Sequence, residues 1–209
     1  MCKDDLVLML KILEKGRKGI DMNLLGFRSP NRVYYSDSCP TGLGGYSNQG
    51  FAWRWQIPDD LKFRATNNLL EFLAAIVTPW IDIIRGHLNR GDCALSMTDS
   101  TTAEGWMQKS NFTEAGDDPI QASTCVDAAR KYAELFLTAD IKGYSQWFAG
   151  KSNNVTDALS REWHRTNDEL TYLLNHHLPN QMPSHFTILP LPSEINSWLI
   201  SRHCCGNCP

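Results

Sequence analysis

Apolar residues recur along this chain in two rhythms. From Arg32 to Asp37 they alternate, so Val33, Tyr35 and Asp37 share one row, as side chains of a strand do. This segment reads as a strand whose inward row is two apolar residues closed by an acid. Leu43–Ser47 and Gly50–Ile57 read as two more strands, joined through Asn48-Gln49-Gly50, a hairpin signal, and stopped by Pro58. From Thr66 to Leu88 the period changes. Leu69, Phe72, Leu73, Ile76, Trp80, Ile83 and Ile84 recur at helical spacing, with Thr66 or Asn67 as N-cap. Pro79 inside this run, costing about 3 kcal/mol in an unbroken helix, predicts a kink or two successive helices. Cys93–Asp99 predicts a fourth strand, with Leu95, Met97 and Asp99 in one row. A short helix over Thr101–Lys109, a polar loop over Asn111–Pro119, a helix over Pro119–Leu137, a fifth strand over Ile141–Phe148 and a short helix over Val155–Trp163 follow.

The flanks differ in character. Asp5–Lys15 predicts a helix ended by Gly16 and Gly19. Its apolar residues lie on so many sides that it should dock on another element. Asp21–Pro30 reads as a connector. After Arg165, Leu170, Leu173 and Leu174 predict a helix. Pro179, Pro183, Pro190 and Pro192 then interrupt the chain before a last helix over Ser193–Ile200, capped by Ser193. The chain thus divides into an N-terminal helix and connector (1–30), a central domain (31–165) and a C-terminal extension (166–209).

With 209 residues and 42% hydrophobic content, the chain can bury a packed core in one domain or two small ones. A net charge of −3 argues against a dedicated polyanion binder, and equally suits acids gathered in a cleft. Seven cysteines make an odd number. Cys39, Cys93 and Cys125 sit among apolar or turn residues, as reduced thiols of an intracellular (cytoplasmic or nuclear) protein do. The sequons at Asn111 and Asn154 are then expected to be silent. No secretory signal and no apolar run of the roughly 18 residues a membrane span needs is expected.

Chemistry enters with the acids. If the strands ending in Asp37 and Asp99 are parallel neighbours, about 4.8 Å apart, both carboxylates face the same side at the same end. Such a pair repels unless a cation lies between them. The spacing suits a two-metal phosphodiester site, whose ions lie roughly 3.5–4 Å apart. Glu71, near the start of its helix and followed by Ala74 and Ala75, adds a third acid on a face that can approach a sheet closely. Asp157 adds a fourth. Taken singly, each has an ordinary reading: a turn cap, a solvated helix glutamate, a helix-start acid.

Four motifs in order change that weighing. Tyr35-Ser36-Asp37-Ser38 with Gly42-Leu43-Gly44-Gly45, then Thr66 through Ile76 around Glu71, then Met97-Thr98-Asp99-Ser100, then Asn154-Val155-Thr156-Asp157-Ala158-Leu159-Ser160-Arg161 together resemble the ribonuclease H family. The last motif resembles the ribonuclease H domains that follow reverse transcriptases in retroelement polyproteins. The likeness spans Arg32 to Arg161. It implies an α/β fold: a five-stranded mixed sheet flanked by helices, the first three strands antiparallel and the first, fourth and fifth parallel, with helical extensions at both ends. It implies hydrolysis of the RNA strand of RNA–DNA hybrids by two Mg²⁺ ions (Mn²⁺ as substitute) held by Asp37, Glu71, Asp99 and Asp157. It further implies that Asn67 and Asn68 read the hybrid's minor groove, where the 2′-OH marks RNA. Ser38 and Ser100 would bind substrate beside them, and Gly44 and Gly45 would let the backbone approach the cut strand.

Two departures stand out. The loop Ala149–Asn154 has no histidine where many cellular members carry one, which bears on turnover. The basic handle of some cellular members is also missing, so an upstream reverse transcriptase domain is the expected source of hybrid affinity. Alternatives are a duplex-holding module with a weakened site, or a DNA-cutting nuclease on the same fold. Trp53, Trp55 and Trp147 are expected in sheet packing rather than base stacking. His203 to Cys208 lacks the partner half of a zinc site, and His176, His177 and His185 are expected in a loop.

Overall fold

The computed structural model describes residues 3–19, 26, 28–62, 64–109, 112, 119–150, 153–179 and 186–204. The 111–118 loop (Phe112 apart), most of the 21–30 connector, Lys151 and Ser152, His185 and Cys205–Cys208 lie outside the described residues. The elements are α1 (Lys3–Arg17), β1 (Arg32–Cys39), β2 (Gly42–Ser47), β3 (Phe51–Gln56), α2 (Asn67–Ile84), β4 (Cys93–Thr98) and α3 (Thr101–Lys109). They continue as α4 (Pro119–Ala139), β5 (Lys142–Trp147), α5 (Asn154–Arg161), α6 (Asn167–His177), β6 (Thr187–Leu189) and α7 (Ser193–Cys204).

The sheet has six strands in the order β5-β4-β1-β2-β3-β6. β1, β2 and β3 run antiparallel in turn, while β4 pairs parallel with β1 and β5 parallel with β4. These are the expected directions. The expected five strands are corrected to six: Thr187–Leu189 pairs parallel with Phe51–Trp53. Three residues between prolines carry too little periodicity to announce a strand, and only the open edge of β3 makes them one. His176 and His177 close α6 rather than lie in a loop. A capping box between Thr166 and Glu169 starts that helix.

Both faces of the sheet are covered. The larger core gathers Tyr34, Leu43, Phe51, Trp53, α2 and residues of α3, α4 and α7. A smaller one gathers Tyr46, Ala52, Val155, Leu159, Leu170 and Leu174, with Tyr35 packed against it. Hence the main core lies on the Tyr34 side of β1. Val33 and Tyr35 point the other way and are half-buried. Alternation identifies faces, but in a sheet covered on both sides it does not say which is deeper.

α2 is the central helix. It runs through Pro79 as one helix, not two. Thr78 Oγ lies in bonding range of Ala74 O and accepts from Trp53 Nε1 at 3.0 Å, tying the helix to β3 where the proline interrupts its ladder. α2 is also long and apolar enough to cross a membrane, contrary to expectation, but 78% of that window is buried inside the fold. Such a helix is the core of its sheet, satisfied by protein on its sides.

α1 docks less than its composition predicts. It is fastened to α4 by ion pairs, Lys11 to Glu134, and Arg130 to Asp5 at 2.8 Å, while Leu6, Met9, Leu10 and Leu13 stay exposed.

Candidate metal centre

β1 and β4 stay paired only as far as Tyr35 and Met97, whereas β1 follows β2 to Cys39. Past that point the parallel strands part, and Asp37 and Asp99 face each other across the opening. α2 lies against β1 because Ala74 and Ala75, both buried, present no bulk. That approach carries Glu71, one turn into the helix, to the rim. One carboxylate oxygen each from Asp37, Glu71 and Asp99 lies within 4.8 Å of the others.

Each acid is held from outside the trio. Ser38 N and Oγ both donate to Glu71 Oε1, at 3.1 and 2.8 Å. Ser160 Oγ, on α5, donates to Asp37 Oδ2. Asn153 Nδ2 approaches Asp99 Oδ2 at 3.4 Å, and Trp147 Nε1 donates to Asp99 O at 2.9 Å. Asp37 and Glu71 are 1% and 3% exposed. Burial pushes the Asp37 carboxyl up to about 6, with Asp157 and Asp99 adding repulsion against the relief from Ser160 and Arg161. Burial, then the nearby Asp37, pushes Glu71 up to about 8, despite the Ser38 bonds. Glu71 Oε2 is buried with no hydrogen-bond partner. An orphaned carboxylate oxygen among three converging acids fits a hard divalent cation, which takes carboxylates readily.

Asp157 is not in the trio. It is 39% exposed and pairs with Arg161 Nη2 at 3.1 Å, one helical turn on. The same nitrogen lies 3.5 Å from Asp37 Oδ2. Arg161 thus bridges the fourth acid and Asp37.

The expected substrate residues divide. Asn67 is exposed and lines a cavity of about 500 Å³ with Ser38, Cys39, Pro40, Thr41 and Arg161. Asn68 is half-buried beside it in the first turn of α2. Ser38 is buried and serves Glu71. Ser100 Oγ accepts from Ala103 N at 3.1 Å, a bond that starts α3. Gly44 and Gly45 are corrected outright. A Cβ on Gly44 would meet Leu159 Cβ at 2.6 Å, and one on Gly45 would meet Thr78 Oγ1 at 2.5 Å. Both are buried under helices on opposite faces, so their lack of a side chain serves packing, not access.

Trp53 and Trp55 are buried as expected, but Trp147 is 46% exposed. β5 is an edge strand with its outer side uncovered, so an aromatic there need not be core. Arg161, Ser160, Asn153 and Trp147 are not among the candidate site residues that the sequence suggests. For the first two a signal existed, since positions three and four residues after Asp157 share its helix face.

No protein-family model and no curated protein matches this chain.

Proposed function

We propose that this chain is a ribonuclease H-like domain of a retroelement reverse transcriptase polyprotein, and that it hydrolyses the RNA strand of RNA–DNA hybrids. The observation that carries the reading is the convergence of Asp37, Glu71 and Asp99 within 4.8 Å at the mouth between β1 and β4. The strand order and directions support it, with β6 as an addition at the far edge. Asp37, Glu71 and Asp99 would hold the metal, with Asp157 joining once it leaves Arg161. Two Mg²⁺ ions bound there would supply Lewis acidity for an attacking water and a leaving 3′ oxygen. The protein's own part is positioning. Ser38 orients Glu71, Ser160 orients Asp37, and Asn153 with Trp147 fixes Asp99. Asn67, at the lip of the adjoining cavity, and Asn68 next to it in the chain would read the minor groove. The exposed apolar side of α1 would face an upstream polymerase domain.

Asp99→Asn tests this. The variant should keep the wild-type circular dichroism spectrum and lose Mg²⁺-dependent cleavage of a labelled hybrid by at least about 100-fold, the scale on which a charge-stabilising group acts. Cleavage at the wild-type rate would refute the assignment. Asp157's tie to Arg161 favours a second reading, a module that holds the duplex without cutting. Hybrid retained intact in Mg²⁺ would select that reading, and cutting of plain duplex DNA a DNA nuclease.

A further inference from the structure

One guanidinium occupies the junction of the acid cluster. Arg161 Nη2 is 3.5 Å from Asp37 Oδ2 and 3.1 Å from Asp157 Oδ1. Its charge is permanent, so it cannot leave this junction by deprotonation, only by moving. Movement is open to it. The side chain is 53% exposed and borders the cavity formed by Ser38, Cys39, Pro40, Thr41 and Asn67. Asp37 keeps a second partner, Ser160 Oγ, that does not depend on the arginine. Glu71 Oε2, by contrast, has no partner at all, so the guanidinium serves only one side of the cluster.

We propose that Arg161 is an exchangeable resident cation. Without metal it neutralises Asp37 and Asp157 and holds Asp157 away from the trio. When a divalent ion enters, the guanidinium is displaced into the adjoining cavity, where its planar fork meets a phosphate of the bound strand. This rests on the metal-centre reading above.

The test is calorimetric titration of Mg²⁺ into the wild-type chain, Arg161→Gln and Arg161→Lys, with no substrate present. Arg161→Gln should bind Mg²⁺ up to about fivefold more tightly, the scale of a partly exposed ion pair. Arg161→Lys, which keeps the competing charge, should stay near the wild type. With Mg²⁺ saturating and a non-cleavable hybrid, Arg161→Gln should bind the duplex more weakly and lower the salt slope by about one phosphate contact. Equal or weaker Mg²⁺ binding by Arg161→Gln overturns the proposal, as does Arg161→Lys behaving like Arg161→Gln. An unchanged salt slope overturns the phosphate half. Failure of the wild-type chain to bind Mg²⁺ overturns the metal centre itself along with this proposal, which separates the two failures. Each variant's unfolding curve is recorded first. Should Arg161→Gln not fold, Arg161→Met replaces it, with tighter Mg²⁺ binding expected and equal or weaker binding overturning the proposal.

Discussion

At the scale of single residues, Glu71 and Asp37 are acids whose charged forms the fold disfavours. Both folded-state carboxyls sit above their ordinary values, Glu71 at about 8 and Asp37 at about 6, chiefly through burial. A carboxyl raised in the folded state binds its proton more tightly than in the unfolded chain. As far as these two groups decide it, stability without metal is therefore fully present only below their ordinary values of 3.8 and 4.5, and is lost as pH rises to about 6 for Asp37 and about 8 for Glu71. A divalent ion bound at this cluster would reverse the sense, because it needs both groups ionised. Thermal melts in EDTA should show Tm falling from pH 6 to pH 8, and Mg²⁺ should raise Tm more at pH 8 than at pH 6, with about 2–4 °C for each kcal/mol in a chain of this size. An EDTA-treated protein that grows steadily more stable over that interval would show that the fold does not disfavour these charged forms.

At the scale of elements, the centre depends on how closely two helices approach the sheet. α5 reaches β2 only because Gly44 has no side chain, and α2 reaches β1 because Ala74 and Ala75 are small. Gly44→Ala places a methyl 2.6 Å from Leu159 Cβ and 2.8 Å from its carbonyl carbon. Backbone cannot yield as a flexible side-chain tip can, so α5 must lift. Denaturant unfolding should show a loss of about 1–3 kcal/mol, typical of overpacking. Ser160 and Arg161 travel with α5, so Mg²⁺ affinity should change as well. A Gly44→Ala protein with unaltered stability and metal binding would mean that the α5–β2 contact does not position the site.

For the whole molecule, the two ends of the chain make opposite predictions. No residue of α1 is buried, and its hold on α4 is mostly ionic. Deleting residues 1–19 should lower Tm by no more than about 12 °C, since the ion pairs to Glu134, Arg130 and Asp140 contribute at most about 1 kcal/mol each and each kcal/mol moves Tm by about 2–4 °C. Residues after Arg165 are a different matter. They supply β6 at the edge of the sheet, Ile195 and Leu199 to the main core, and Leu170 and Leu174 to the smaller one. Ending the chain at Arg165 uncovers α5's outer side and the β3 edge together. That protein should lack a cooperative thermal transition by calorimetry; a sharp transition near the full-length Tm would show that 166–209 is an appendage after all.

Local order was legible because it depends on neighbours a few residues apart. Alternation over Arg32–Asp37, helical spacing from Leu69 to Ile84, and the Asn48-Gln49-Gly50 turn each act within one element, and each element stands where those patterns put it. The choice of Asp37, Glu71, Asp99 and Asp157 as a group was legible only through four motifs taken together, since no single acid distinguishes itself from a cap or a solvated side chain, and the fold brings the first three within 4.8 Å of one another. Contacts across the fold decided the rest. The parting of β1 from β4 opens the mouth, the open edge of β3 recruits Thr187–Leu189, and an uncovered β5 leaves Trp147 in solvent. Arg161 captures Asp157 because helical geometry sets them one turn apart and the packing of α5 on β2 brings Asp37 to the same guanidinium. Side-chain type and spacing specify what each segment can be, whereas which charge neutralises which is settled by distances that exist only after the sheet has closed.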